Sequence, residues 1–344
     1  MAQLAAQPLA GVEVHWVTRG ERSVYSGMVS GWVAGEYARD ACTLDLAALA
    51  RAAGVLLHPA GAVGLDAGRR IVTLQGGETL EGDVLALGLG SASRGAELPG
   101  VREHAWNVKT LPTRFERLPA VPGPSVVVGG GLAGIELALC LRSASAEVTL
   151  LSDQLPVPPG GSPALLGAVR RTLERRGIRL VRGTVVAVTA DAVVLADGTR
   201  VPARGVLWAT GPAPHPLLTM AGFALGQGGG VRVDATLRST SHPHVFAAGD
   251  CADLPTPAPK SGVYSVREGP VLAHNLRAAL GDDGALRHYR PQRIALALVN
   301  CGDGTGILSW GPFATRGRWV RAWKHRLDDS FMEKLRGSAQ RTVP

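Results

Sequence analysis

The sequence predicts an α/β fold, and three observations support this prediction. Residues 125–151 have the pattern of a βαβ unit: an apolar, β-branched strand at Ser125–Val128, a glycine-rich loop, helical spacing at Ile135–Arg142 and a second strand at Glu147–Leu151. Further segments with strand and helix patterns alternate on both sides of this unit. The chain has 344 residues, of which 46% are apolar, so it is long enough for two or three domains with their own cores.

The remaining elements follow from apolar periodicity and from the glycines and prolines between the apolar segments. Before the βαβ unit we expect strands at Val12–Thr18, Val55–Leu57, Arg70–Leu74 and Asp83–Leu89, and a helix at Leu44–Ala53 closed by Gly54. After it we expect helices at Leu165–Arg176, Tyr264–Leu280 and Trp319–Leu335, and strands at Ile178–Val181, Thr184–Thr189, Ala192–Leu195, Gly205–Ala209, Val245–Ala248, Ile294–Val299 and Gly306–Trp310. Pro119, Pro122, Gly123 and Pro124 form a stiff stretch that predicts a domain boundary.

The loop of the βαβ unit contains the spacing G-x-G-x-x-G. Gly129 permits a tight turn, Gly131 lets the backbone approach a diphosphate, and Gly134 lets the helix pack closely; Gly130 lies within the same loop. The start of the following helix presents free N–H groups and the positive end of its dipole to an anion. Because the loop follows a strand and opens a helix, we predict a dinucleotide site; the alternative is an ordinary strand–helix turn.

The end of the second strand bears on the choice between NAD and NADP. An acidic side chain at this position would bind the adenosine ribose and favour NAD, whereas an arginine would favour NADP. Ser152 stands at about this position, with Asp153 next and no arginine directly after it. The sequence therefore leaves both nicotinamide cofactors open, with a slight preference for NAD.

Cysteine usage and composition exclude several other classes. Cys42, Cys140, Cys251 and Cys301 are isolated in the sequence, so we expect no disulfide framework, no metal site and no dithiol pair. No apolar run reaches the roughly 18 residues of a membrane span, and the first ten residues do not resemble a signal peptide. We expect a cytoplasmic protein, and no nucleic-acid partner because no recognised binding motif occurs.

The C-terminal segment is basic and amphipathic. From residue 286 onward eleven Lys or Arg stand against four Asp or Glu, a net charge of +7, whereas the preceding part of the chain is nearly neutral. Apolar side chains recur there every four residues, at Trp319, Trp323, Leu327, Phe331 and Leu335. This pattern is typical of a helix that contacts an anionic partner, such as the inner membrane face or another protein. A helix that lies on the protein's own core is the alternative.

Four stretches together carry a resemblance to a known family. They are YSGMVSGWVAGEY at Tyr25–Tyr37, the glycine loop described above, HVFAAGDCA at His244–Ala252 with the segment that follows it to Leu276, and the C-terminal stretch Gly311–Met332. The chain resembles the FAD/NAD(P)-dependent oxidoreductases related to type II NADH dehydrogenases, and it is most similar to the flavoprotein domain associated with selenide, water dikinase. The resemblance implies two interleaved Rossmann-like FAD/NAD(P)-binding domains with a small C-terminal α+β extension.

The resemblance also implies a division into domains. Residues 1–118 would form the first part of the FAD-binding domain and 119–234 the NAD(P)-binding domain. Residues 235–285 would complete the FAD-binding domain, and 286–344 would form the basic extension. The family begins with a strand and a flavin-binding glycine loop that this sequence lacks, so we expect a start placed too late or a trimmed chain. We interpret the glycine clusters at 61–68 and 226–230 as turns that do not replace this loop.

Roles for individual residues follow from the same resemblance. Asp250, after Gly249, resembles the carboxylate that binds the flavin ribityl chain, and Lys260 to Tyr264, including Val263, would place backbone N–H groups near the flavin pyrimidine. Gly211 resembles part of the crossing strand beside the nicotinamide domain. Tyr25 would lie near the flavin, and Glu136 near the nicotinamide as the catalytic candidate. The alternatives are turn capping for Asp250, a solvated helix start for Glu136 and core packing for Tyr25.

We therefore expect an oxidoreductase that takes hydride from NAD(P)H onto FAD and passes electrons to a quinone or a small molecule, including a selenium compound. One alternative is a degenerate flavoprotein that binds a dinucleotide and serves a partner such as selenide, water dikinase. Another is a sulfide:quinone-type enzyme, which would need two cooperating cysteines. Neither Cys140, within a helix, nor Cys251, after the flavin aspartate, has the position of such a pair.

Overall fold

The fold is α/β, as the sequence predicts. The computed structural model describes residues 1–7, 9, 11–110, 123–145, 147–281 and 284–340. The helices of these residues are α1 (Ala2–Ala6), α2 (Val29–Val33), α3 (Leu46–Ala53), α4 (Val101–His104), α5 (Leu132–Leu141), α6 (Pro163–Arg175), α7 (Pro216–Thr219), α8 (Gly262–Ala279) and α9 (Arg318–Ala339).

The strands up to the glycine loop are β1 (His15–Val17), β2 (Arg22–Val24), β3 (Thr43–Asp45), β4 (Leu56–His58), β5 (Ala62–Asp66), β6 (Ile71–Leu74), β7 (Thr79–Glu81), β8 (Leu85–Leu87), β9 (Ala92–Ser93), β10 (Ala105–Asn107) and β11 (Ser125–Val128). Those that follow are β12 (Val148–Ser152), β13 (Arg179–Arg182), β14 (Val185–Val188), β15 (Ala192–Leu195), β16 (Arg200–Pro202), β17 (Gly205–Trp208), β18 (Pro212–Ala213), β19 (Val231–Arg232), β20 (Val245–Ala247), β21 (Ala252–Asp253), β22 (Ala297–Asn300), β23 (Gly306–Trp310) and β24 (Phe313–Gly317). The expected elements are found with ends shifted by a few residues.

A five-stranded parallel sheet forms the centre of the nicotinamide half. Its order is β10-β17-β11-β12-β13. The central strand β11 is buried at every residue, and the apolar helix α5 covers it. Strands buried on both faces read as continuous apolar runs, which is why Ser125–Val128 stood out in the sequence. The antiparallel sheet β14-β15-β16 is inserted between β13 and β17.

The other half uses shorter parallel pairs. β1 pairs with β4, and β8 pairs with β20, both in parallel. The antiparallel sheet β5-β6-β7 lies between β4 and β8 in the chain. Gly54 ends α3 with φ +64°, a conformation that suits glycine and that the sequence predicted as a helix end. Residues 226–230 form a turn closed by the bond from Gly226 N to Gly230 O, as expected, whereas the 61–68 cluster lies largely within β5.

Two short crossing strands connect the halves. β9 and β18 pair antiparallel, so that Ser93 faces Pro212. Side chains reinforce this crossing, because Trp208 Nε1 and Thr210 Oγ1 both donate to the carbonyl of Arg94, at 2.9 and 2.6 Å. Of the expected proline-rich boundary, Pro119 and Pro122 lie outside the described residues. The domain limits stay predictions.

The C-terminal extension packs back onto the rest of the molecule. Its sheet β22-β23-β24 and helix α9 follow α8 in the chain. Val299, Ile307 and Met332 of this extension share one core with Met28 and with α5. Three distant parts of the chain therefore meet around α5, the helix that the glycine loop opens.

Candidate functional site

The glycine loop closes by direct contact between backbones. Gly129 has φ +127°, and a Cβ atom added there would overlap the carbonyl of Ala209. A Cβ at Gly134 would overlap the carbonyl oxygen of Gly129. Only residues without a side chain permit this approach of helix α5 to the end of β11. The roles expected for the first and third glycines thus have a steric cause in the structure.

The middle of the loop faces open space. A Cβ at Gly131 would meet no protein atom within 4 Å, although Gly131 is the N-cap of α5 and no side chain caps this helix. The first N–H groups of α5 therefore have no partner within the helix and carry the positive end of its dipole. This combination of open space and free donors is what a diphosphate requires.

Ser152 lies beside the loop, at the end of β12. A Cβ at Gly130 would overlap its hydroxyl, so the two predicted residues are in direct proximity. The hydroxyl of Ser152 donates to Gln154 O at 2.8 Å and accepts from Gln154 N at 3.2 Å. Its hydrogen-bonding capacity is therefore used to shape the turn. Sequence reasoning missed Arg182, which pairs in register with Ser152 on β13 and places an exposed cation at this strand end.

The second group of predicted residues surrounds Asp250. Gly249 has φ +74° and starts a short 3-10 turn after β20, with Asp250 at its centre. Ser91 Oγ, after the parallel partner strand β8, donates to Asp250 Oδ2 at 2.7 Å. Lys109 Nζ donates in turn to Ser91 O at 2.9 Å and to Ala92 O at 3.1 Å. A chain of hydrogen bonds from Lys109 through Ser91 thus holds the predicted flavin carboxylate.

Ser91, Lys109 and Glu268 were missed by the sequence analysis. Glu268 is only 3% exposed, and its Oε2 accepts from Gly249 N at 2.5 Å, so it supports the backbone that carries Asp250. Burial raises the pKa of this carboxyl. The one signal in the sequence was a carboxylate within the apolar face of the predicted helix Tyr264–Leu280.

Lys260 and Val263 stand at the start of α8. The ammonium of Lys260 donates to Asp253 Oδ1 at 2.6 Å and to the carbonyl of Ala252. Its side chain therefore fixes a turn, since Asp253 also accepts from Gly228 N at 2.8 Å. The N-cap Ser261 makes no side-chain capping bond. The backbone N–H groups expected at this helix start are present, whereas the Lys260 side chain has a structural contact of its own.

Gly211 follows the crossing point of the two halves. Its carbonyl accepts from Arg94 N at 3.0 Å, and a Cβ at Gly211 would meet nothing within 4 Å. The residue therefore lies at an open position beside the β9–β18 pair, close to the end of β17. The role expected for Gly211 beside the nicotinamide domain stays a prediction.

Glu136 has partners that the sequence did not reveal. It lies on α5 two residues after Gly134, and its Oε1 accepts from Asn300 N at 2.8 Å and lies 3.8 Å from Lys324 Nζ. Lys324 also donates to Gly27 O at 2.8 Å and to Asp328 Oδ2 at 3.0 Å. The alternative of a solvated helix-start residue does not fit, because this carboxyl is largely buried.

Tyr25 belongs to the same neighbourhood. Its ring lies 4.8 Å from that of Phe331 on α9, and a Cβ at Gly27 would overlap it. Burial, followed by the negative charge of Asp328, raises the pKa of its hydroxyl. Tyr25 therefore packs against the C-terminal extension while its polar end faces the ions around Lys324. The ring of Tyr25 thus contributes to packing, and its hydroxyl contacts a polar environment.

Two dinucleotide-binding halves, each with predicted contact residues at the carboxyl ends of parallel strands, define a pyridine nucleotide oxidoreductase of the flavoprotein class. The profile of the pyridine nucleotide-disulphide oxidoreductase family matches residues 1–275. The chain belongs to this family. The predicted fold class is thereby confirmed, and FAD and NAD(P)H are supported as its cofactors.

Known proteins agree with this assignment. The chain is 39% identical over 207 residues to the ferredoxin–NAD(+) reductase component of the biphenyl dioxygenase system of Paraburkholderia xenovorans, which covers 56% of this chain and 48% of that protein. It is 27% identical over 289 residues to the mitochondrial internal alternative NAD(P)H-ubiquinone oxidoreductase A1 of Solanum tuberosum, covering 71% and 57%. The chain thus spans about half the length of these relatives.

Structural comparison gives the same fold. The sulfide:quinone oxidoreductase of Aquifex aeolicus superposes with a TM-score of 0.78 at 18% identity, over 97% of this chain and 89% of that one. At this level of identity the likeness concerns the fold alone. The more specific resemblance to a domain associated with selenide, water dikinase stays a prediction.

The two steric roles of the loop glycines can be separated by mutation. Gly131→Ala places its methyl group in open space, so we expect the free energy of unfolding to change by less than about 1 kcal/mol. The same methyl group would obstruct a diphosphate, so NADH affinity should fall about ten-fold or more. Gly134→Ala should instead destabilise the fold by roughly 1–3 kcal/mol, because backbones must move apart. Denaturant titration measures the free energy of unfolding, and NADH titration measures the affinity for NADH. Equal NADH affinity of Gly131→Ala and wild type would refute the assignment of the loop as the dinucleotide site.

The buried Glu136 carboxyl should affect stability in a pH-dependent way. Burial, partly offset by Lys324 and the Asn300 N–H group, raises its pKa in the folded state. A raised folded-state pKa stabilises the fold at pH below the unfolded value, and this stabilisation is lost as pH rises through the folded-state pKa. Relative to Glu136→Gln, wild type should therefore lose thermal stability as pH rises from about 4.5. Melting curves of both proteins across pH test this, with the exposed Glu174→Gln as the control; a pH-independent difference would contradict it.

Proposed function

We propose that this protein transfers hydride from NAD(P)H, bound at the loop Gly129–Gly134, to FAD, bound beside Asp250, and passes the electrons to a quinone or another small molecule. The observation that carries this proposal is the pairing of two half-sites in one chain. An open glycine loop with free helix donors lies on one side, and a carboxylate held by Ser91 and Lys109 lies on the other. The crossing strands β9 and β18 connect them.

The residues present fit NAD(P)H at the start of α5, and they fit the ribityl and ring end of FAD beside Asp250 and the start of α8. The α5 start offers N–H groups and open space to a diphosphate, and Asp250 offers an acceptor for ribityl hydroxyl groups. The start of α8 offers uncapped N–H groups, whose dipole would stabilise negative charge on a flavin ring. FAD, when bound, supplies hydride acceptance and electron release. The protein's part is to hold the two cofactors in a fixed relative orientation.

Glu136 is the candidate group for holding a proton near the nicotinamide end. Burial raises the pKa of its carboxyl, although Lys324 and the Asn300 N–H group partly offset this effect. Asn300 and Lys324 fix the direction of its oxygen atoms. The role of Glu136 in the reaction rests on its place next to the glycine loop.

The cysteines argue against a dithiol acceptor within the chain. All four are buried and free. Burial raises the pKa of each thiol, that of Cys42 to about 11. Protonated, buried thiols are poor nucleophiles at neutral pH. The electron acceptor is therefore proposed to be external, and a sulfide:quinone-type mechanism with two cooperating cysteines is not favoured.

The relatives support this range of acceptors. The Paraburkholderia relative is named as a ferredoxin–NAD(+) reductase component, and the Solanum relative as an NAD(P)H-ubiquinone oxidoreductase. We favour a quinone because the C-terminal helix leaves apolar side chains exposed. A quinone reductase needs access to the lipid phase in which its acceptor is dissolved.

The exposed surface of α9 includes part of the apolar stripe that the sequence predicts for contact with a partner. The helix does lie on the protein, but through Val320, Lys324, Asp328 and Met332. Trp319, Trp323 and Leu327 remain 54, 39 and 46% exposed, whereas Phe331 packs on Tyr25. The inward face of α9 is selected by Lys324, whose Nζ lies 3.8 Å from Glu136 Oε1 and donates to Gly27 O at 2.8 Å.

The hairpin before α9 adds to this surface. Trp310 and Phe313 at the β23–β24 turn are 56 and 69% exposed. Aromatic side chains with nearby Arg and Lys are typical of proteins that rest on an anionic bilayer surface. No helix of the described ranges has the length and apolar character to cross a bilayer. We therefore propose peripheral attachment to the inner membrane face through the hairpin and the exposed face of α9.

The redox proposal is tested by anaerobic spectroscopy of the full chain. Purified protein should show flavin absorption that is bleached by NADH or NADPH. Asp250→Ala should lower flavin content at least about ten-fold and leave NADH titration intact, because the carboxylate contacts one cofactor only. The exposed Asp191→Ala is the matched control. Wild-type protein that binds NADH but takes up no flavin would refute the proposal.

The membrane proposal is tested by vesicle sedimentation. The double variant Trp319→Ala/Trp323→Ala should partition about ten-fold less onto phosphatidylglycerol-containing vesicles, because it loses the two exposed aromatic side chains of α9. Leu180→Ala/Met220→Ala removes exposed apolar side chains elsewhere and should partition as wild type does. Equal sedimentation of all three proteins with vesicles would refute the proposed membrane attachment.

A further inference from the structure

Two basic side chains from distant parts of the chain meet at the flavin half. Arg19 follows β1 by two residues, and His215 follows the crossing strand β18. Arg19 Nη2 lies 3.1 Å from His215 Nε2. His215 is only 8% exposed, and its other ring nitrogen lies 3.4 Å from Leu217 N at the start of α7. Neither residue has a role in the functions described above.

More hydrogen-bond donors than acceptors meet at the His215 ring. A guanidinium and a backbone N–H group are donors only, and a neutral imidazole can accept at one nitrogen only. Arg19 and Leu217 both direct N–H groups at this ring. Whichever ring nitrogen carries the proton, one N–H group faces another. An additional acceptor placed beside Arg19 and His215 Nε2 would satisfy both donors.

Positive charge predominates around His215. Within the described residues, no carboxylate lies within 4 Å of the charged groups of Arg19 or Lys109. Arg19 and Lys109 both act electrostatically on His215 and, after burial, lower its pKa. Because Arg19 and Lys109 both repel a proton on the largely buried His215 ring, a bound anion beside the ring would offset this repulsion.

Arg19 and His215 lie near the proposed FAD site. Lys109 feels the charge of Asp250 as well as acting on His215, so it links the basic pair to the flavin carboxylate. Arg19 lies just beyond the carboxyl end of a parallel strand, as Asp250 does. Ligands of α/β folds bind at this edge. The missing acceptor is therefore placed where a nucleotide ligand would lie.

We infer that Arg19 and His215 form a phosphate-binding pair that takes one phosphate oxyanion, from the diphosphate of FAD or from free phosphate. The inference rests on the proposed function only for the FAD source. A guanidinium binds phosphate oxygens with two parallel hydrogen bonds, and a buried imidazole N–H adds a third. Because riboflavin carries no phosphate, the pair would favour FAD over riboflavin.

The test compares flavin and phosphate binding across four full-length proteins freed of flavin. These are wild type, Arg19→Ala, His215→Gln and the control Arg22→Ala. Arg22 is close to Arg19 in the chain, exposed, and only 3.9 Å from Asp40 Oδ1. Titration with FAD and with riboflavin gives the dissociation constants. Thermal shift in sodium phosphate against sodium chloride at equal ionic strength reports free phosphate, and NADH titration reports the integrity of the other half.

With FAD as the source, Arg19→Ala and His215→Gln should bind FAD about ten-fold or more weakly, whereas riboflavin and NADH binding and the Arg22→Ala protein stay unchanged. With free phosphate as the source, the stabilisation by phosphate should disappear in the same two variants only. The inference is overturned if Arg19→Ala and His215→Gln behave as Arg22→Ala does toward both ligands. Absence of FAD binding in wild type would refute the redox proposal, while the phosphate comparison would still decide the role of the pair.

Discussion

The nucleotide half depends on the close approach of Gly134 to the Gly129 carbonyl, which leaves no room for a Cβ atom at Gly134. A methyl group at either position would collide with backbone, so β11 and α5 can approach each other only through glycine. This approach aims the uncapped start of α5 at the carboxyl edge of the sheet, beside Ser152. It also fixes the direction of α5, and with it the position of Glu136.

From α5 the structure extends to the C-terminal extension through buried polar groups. Asn300 donates its backbone N–H to Glu136, and its side-chain amide donates to Glu36 Oε2 at 2.6 Å. Arg321 and Lys324 of α9 contact the same two carboxylates, at 3.1 Å from Glu36 and 3.8 Å from Glu136. Buried ions without partners are strongly destabilising, so these contacts specify which face of α9 turns inward. The apolar stripe on its other side is left exposed as a consequence.

The flavin half is held by a different kind of contact. Asp250 is fixed by a hydroxyl, a lysine and, through Gly249 N, by the buried Glu268. These residues come from segments before and after the nicotinamide half. The arrangement around Asp250 therefore exists only when both segments are assembled, so the proposed flavin site depends on the packing of both segments.

The sequence by itself determined the elements whose signal is local. The βαβ unit, the glycine loop and the end of α3 at Gly54, which has a left-handed backbone, depend on a few neighbouring residues. The structure contains all three at the positions that the sequence predicts. The buried face of α9 was decided only by the tertiary structure, because ion pairing outweighed apolar periodicity there. The same holds for the contacts of Lys109 with Ser91 and of Arg19 with His215, which join residues 18 and 196 positions apart. Periodicity and motif spacing report which side chains share one element, but contacts between elements depend on how strands pair and helices pack.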